Sequence, residues 1–96
     1  MIRADHQRRF EQAFASEKPF ESLRQLAIAL RDEGASQIEV YFLFERYQEK
    51  TSGDNPLYDA IVDTMDEIHG GAWAKGGGFF STTLTDEIIR AERKNA

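Results

Sequence analysis

The sequence predicts a small all-α domain of four or five helices, packed as a bundle or orthogonally. Two observations carry that prediction. Apolar residues recur at helical spacing in several separate stretches. Each stretch is bracketed by residues that start and stop helices: a Ser, Thr, Asx or Pro before it, a glycine or a polar loop after it. The alternative is an α+β domain with short strands near 38–45 and 78–84, where β-branched and aromatic residues concentrate. Ninety-six residues suffice for one domain, since a second core needs roughly another 50. The whole chain, 1–96, is therefore read as one helical domain, with a Gly-rich loop at 70–78 and a loosely docked last helix at 85–94.

Asp5 is placed to cap a first helix running to about Ala15, with Phe10 and Phe14 at i,i+4 as its buried stripe. Pro19 opens a second helix, about 19–33, because its missing N–H would be unpaired at the first position anyway. On the helical wheel Phe20, Leu23, Leu26, Ala27 and Leu30 gather on one side, while Arg24, Gln25 and Arg31 fall away. Gly34 is the stop. The segment from Gln37 is ambiguous, because Ile-Glu-Val-Tyr-Phe-Leu-Phe also suits a strand. Helix is preferred for two reasons. Ser36 and Glu39 make a capping box, and the run continues through Glu45, Arg46, Gln48, Glu49 and Lys50, too long and too polar for a strand end. Such a helix carries two apolar faces, one of Val40, Leu43, Phe44 and Tyr47, the other of Ile38, Tyr41 and Phe42. It is either central in its domain or half-covered by a partner, and a homodimer through helix 36–50 is one form of the second case.

Residues 51–56 are a loop in which Asp54 or Asn55 caps a fourth helix and Pro56 begins it. That helix, about 56–69, has an apolar stripe of Leu57, Ile61, Met65 and Ile68 flanked by Tyr58 and Val62. Asp59, Asp63, Asp66 and Glu67 are expected on the opposite face, and Gly70 ends the helix. Thr85 is the N-cap of the last helix, with Leu84 and Ile89 spaced for a hydrophobic staple. Asp86 and Glu87 at its start and Arg90, Arg93 and Lys94 at its end complement the helix dipole.

Composition removes several functions. With no cysteine there are no disulfides, thiolate zinc sites, iron–sulfur clusters or cysteine nucleophile. Seventeen acidic residues oppose twelve basic ones, for a net charge of −5. Phosphate neutralisation by Lys and Arg dominates nucleic-acid affinity, so nucleic acid is not the expected partner. The local basic cluster of Arg3, Arg8 and Arg9 is diluted by Asp5 and Glu11. The longest apolar runs, 26–30 and 40–44, are far short of the ~20 residues that span a bilayer. The first residues lack an apolar signal core, so no membrane and a cytoplasmic location are expected.

Three features are candidates for function. The first is the carboxylate row Asp59, Asp63 and Asp66 at i, i+4 and i+7, joined by Glu67. It is either a solvated face or a docking surface for a basic partner; one helix face does not converge enough oxygens for a hard cation. The second is Asp66-x-x-His69, the i,i+3 pairing found in di-iron bundles. Those sites use the motif twice with Glu, and His6 has no carboxylate three residues before it. His69 therefore reads as a helix-end histidine, and no metal site or cofactor is expected. The third is the glycine segment, which lacks P-loop and dinucleotide-binding spacing around Lys75. It is instead bordered by Trp73, Phe79 and Phe80, rings that either fold back onto the helical core or anchor a partner. No Gly-x-Ser-x-Gly elbow marks a nucleophile.

The general look, a small acidic cysteine-free helical chain, is similar to that of many bacterial immunity and adaptor proteins, a likeness of composition and helix content. The expected function is a non-catalytic protein-binding module, of adaptor, inhibitor or immunity type. It would present Asp59, Asp63, Asp66, Glu67, Trp73, Phe79 and Phe80 to a basic partner. The alternatives are a small enzyme or metal-binding protein using His69 and Asp66, and a self-associating structural protein.

Overall fold

The computed structural model describes residues 4–70, 79–80 and 84–95. The regular elements among them are five helices, α1 (Ala4–Phe14), α2 (Pro19–Asp32), α3 (Gln37–Lys50), α4 (Pro56–His69) and α5 (Asp86–Asn95). The protein is a small all-α domain. Residues 38–45 lie inside α3, so the strand considered there is set aside. Of the strand considered near 78–84, Phe79 and Phe80 form a bend and residues 78 and 81–83 lie outside the described residues, among which there is no strand. Trp73 lies outside the described residues, as do Arg3 and the loop at 71–78.

Local chemistry accounts for the helix ends. Asp5 lies within the first turn of α1, where its carboxylate pairs with Arg8 and, at 3.8 Å, with Arg9. α2 begins at Pro19 with no side-chain cap. It ends in a Schellman motif: the Gly34 amide donates to Arg31 O at 3.0 Å and the Ala35 amide to Leu30 O at 2.9 Å. Gly34 has φ of 98°, a left-handed conformation that glycine adopts without a Cβ penalty. At α3 the Ser36 hydroxyl accepts from the Glu39 amide at 3.2 Å and donates to the Glu39 carboxylate at 3.1 Å. Asn55 rather than Asp54 caps α4, accepting from the Leu57 amide at 2.9 Å. Thr85 Oγ1 accepts from the Ile88 amide at 3.2 Å, and the staple residues Leu84 and Ile89 are both buried.

α2 is the hub, touching α1, α3 and α4, and α3 with α4 is the other close pair. The central place expected of α3 is thus shared with α2. Leu23, Leu26, Ala27 and Leu30 of α2 meet Val40, Leu43 and Phe44 of α3 and Ala60, Ile61, Met65 and Ile68 of α4 in one core. Each large apolar side chain so buried contributes about 1.5–3 kcal/mol. Phe10 enters this core from α1, edge-on to Phe44 at 4.9 Å between ring centroids and stacked on Tyr47 at 4.2 Å. Phe14 follows it at 5.9 Å. α5 lies over part of the second face of α3: Arg93 pairs with Glu45 and rests over the Phe42 ring at 5.7 Å.

The C-terminus of α4 is closed by four separate donors. Its last carbonyls, from Asp66 to His69, would otherwise have no partner within the helix. Asp66 O accepts from the Gly70 amide, Glu67 O from the Phe79 amide and His69 O from the Leu84 amide, at 3.0, 3.1 and 2.9 Å. Ile68 O accepts from Gln37 Nε2 at 2.8 Å. Arg31 adds a bond to Phe79 O at 2.8 Å, so Phe79 is held through both its amide and its carbonyl.

Candidate functional site

Helical spacing builds a cleft between α3 and α4. Val62, Met65, Asp66 and His69 fall at i, i+3, i+4 and i+7 and so share one side of α4. Tyr41 and Gln48, seven apart, face them from α3. The cleft has a volume of about 400 Å³, in the range of small-ligand pockets. Val62 and Met65 give it an apolar lining, and its polar groups are a carboxylate, an imidazole, a phenol and a carboxamide. The Tyr41 and His69 rings approach to 6.2 Å between centroids. Gln48 Nε2 donates to the Tyr58 hydroxyl at 3.2 Å, which ties the far end of the α3 wall to α4.

The electrostatics of the cleft are negative. Burial raises the Tyr41 pKa above the ordinary phenol value, and the carboxylates of Glu45, Asp86 and Asp66 raise it further. Among the described residues only Arg93 acts in the opposite direction, and it is already paired with Glu45. The acidic row continues from the cleft along α4. Asp63 and Asp59 are exposed one and two turns before Asp66, and among the described residues no cation pairs with either.

The sequence-predicted residues separate into three groups. Asp59 and Asp63 are exposed as expected, and Asp66 is half-buried at the cleft. Glu67 is a correction: it is 4% exposed, faces α2 and pairs with Arg24 at 3.3 Å. Its Oε2 is buried without an aligned hydrogen bond among the described residues, so the Arg24 charge carries the interaction alone. The reason is that α4 packs against both α2 and α3, which widens its buried arc to include Ala60, Thr64 and Glu67. Thr64 is satisfied within the helix by donating to Ala60 O at 2.8 Å.

The aromatic residues form the last group. Phe79 and Phe80 are half-buried against the core, so the described rings fold back onto the helices. Phe79 lies under the Arg24 guanidinium at 5.6 Å, and Phe20 meets the same cation at 5.7 Å.

Asp66 and His69 do share a cleft, whereas His6 lines a separate hollow of about 110 Å³ with Glu33, Gly34, Ala35 and Glu39. Among the described residues no three acidic or histidine side chains converge as a metal site. Sequence reasoning missed Tyr41 and Gln48 as the opposing wall. Their seven-residue spacing on the second face of α3 was the available signal. Comparison of the chain with protein-family models, curated proteins and solved structures finds no match.

Proposed function

We propose that this protein is a non-catalytic binding module that takes a basic protein partner along the outer side of α4. The observation that supports this reading is the continuity of the acidic row Asp59–Asp63–Asp66 with a cleft at its C-terminal end. An exposed acidic surface steers a basic partner and raises its on-rate, while an adjoining cleft supplies the shape that a solvated face lacks. The Phe79–Phe80 bend contributes by holding the end of α4 rather than by projecting toward the partner. Asp59→Lys with Asp63→Lys is expected to abolish low-salt capture of the partner from native lysate while leaving helicity and melting temperature intact. Capture of the same proteins in the same yield by the double variant would remove the electrostatic basis of the proposal.

A second reading, a small enzyme or metal-binding protein, is favoured by one observation: Asp66 and His69 line the same cleft. Elemental analysis of protein purified without chelator separates the two, since stoichiometric metal lost in His69→Ala would favour this second reading.

A further inference from the structure

We infer that the α3–α4 cleft receives one cationic side chain of that basic partner, a lysine or arginine whose head sits between the Tyr41 ring and the Asp66 carboxylate. The inference rests on the partner reading above and adds the occupant of the cleft.

Three properties of the cleft argue for a cation on an aliphatic stem. Val62 and Met65 provide the apolar lining that the methylene stem of Lys or Arg covers while its head stays polar. Tyr41 supplies an aromatic ring in the wall, and cations favour ring faces within about 6 Å. The same arrangement already occurs elsewhere in the molecule, where Lys50 stands over Tyr47 at 5.4 Å and Arg93 over Phe42 at 5.7 Å.

Charge complementarity is the third property. The carboxylates of Glu45, Asp86 and Asp66 all act on the Tyr41 phenol, and Arg93 is the cation that opposes them. An anionic ligand would enter against this field, and a neutral apolar one would leave Asp66 without a salt-bridge partner among the described residues. A cation answers both. Gln48 adds a carboxamide to the α3 wall, and His69 closes the α4 end. Asp63 and Asp59 then lie one and two helical turns away, at distances that suit further basic residues of the same segment.

The test uses the full chain and two blocked amino acids, N-acetyl-lysine methylamide and N-acetyl-arginine methylamide, with N-acetyl-norleucine methylamide as the uncharged control. Saturable chemical-shift changes confined to Tyr41, Gln48, Val62, Asp66 and His69 are expected for the cationic probes. The norleucine probe should bind at least about tenfold more weakly. Asp66→Asn and Tyr41→Leu should each weaken the cationic probes about fivefold or more, with Tyr41→Phe retaining binding because the ring remains. Equal binding of the norleucine probe, or shifts confined to Asp59 and Asp63, would overturn the inference. A basic peptide whose affinity falls in Asp59→Lys/Asp63→Lys but is unchanged in Asp66→Asn and Tyr41→Leu would overturn the cleft occupant while leaving the partner reading standing.

Discussion

Replacing Arg24 by alanine strands the Glu67 carboxylate in the interface between α2 and α4. Glu67 is 4% exposed and its Oε2 has no aligned hydrogen bond among the described residues, so the Arg24 guanidinium is the charge that makes its burial tolerable. Arg24 is partly exposed, which moderates the loss, and Arg24→Ala is expected to cost about 1–3 kcal/mol in urea unfolding. Arg24→Leu with Glu67→Leu should recover most of that loss, because well-packed apolar pairs often replace buried ion pairs at little cost. A double variant as unstable as Arg24→Ala alone would contradict this account. The pair also shows where residue-level reading stops. Arg24 and Glu67 each fall outside the main apolar stripe of their own helices, so each in isolation reads as solvent-facing. Their complementarity exists only once α2 and α4 are side by side, whereas Ser36, Asn55 and Thr85 announce their roles because capping is chemistry between near neighbours.

At the scale of elements, helix starts, stops and buried stripes were legible because they depend on local periodicity. α2 and α4 occupy almost the ranges that Pro19, Gly34, Pro56 and Gly70 dictate. The cleft was not legible, since Tyr41 and Gln48 become its wall only through the packing of α3 on α4. The placing of Phe79 and Leu84 depends likewise on a long-range event, their bonding to the end of α4. Arg31 holds Phe79 by its carbonyl, so Arg31→Ala is expected to lower amide-exchange protection at Phe79 and Leu84 by about tenfold, with α2 and α3 unaffected. Unchanged protection at both amides would show that the two backbone bonds and the packing of Phe79 suffice alone.

Across the whole molecule, arginines join the helices. Arg9 grips Glu33 through two bonds of 2.8 Å between α1 and the end of α2, Arg24 meets Glu67, and Arg93 meets Glu45. With twelve basic residues against seventeen acidic ones, this use of cations leaves the α4 row without partners among the described residues. Proton linkage follows from the same distribution. Burial is the main cause of the raised pKa of both Tyr41 and Tyr47, with Glu45 next for Tyr41 and Glu11 next for Tyr47. The folded state therefore holds these two protons more tightly than the unfolded state does. Their contribution to stability is complete below the unfolded phenol value of about 10 and is lost as pH rises through the higher folded values. The urea midpoint is expected to drop as pH rises above about 10, and Tyr41→Phe with Tyr47→Phe should flatten that drop. A drop of equal size in the double variant would assign it to other groups. Glu33 runs in the opposite sense: its hydrogen bond to Arg9 lowers its pKa, so its contribution is present above the usual carboxylate range and fades as acid is added.

The closure of α4 bears on how the chain is made. The donors that finish this helix stand at positions 37, 70, 79 and 84, one before it and three after it. During vectorial synthesis the helix emerges complete in sequence but with two of its last carbonyls still waiting for amides not yet translated. His69, one wall of the cleft, sits on that waiting turn. The turn that carries His69 is therefore closed only after residue 84 has left the ribosome, although every side chain that lines the cleft was translated well before.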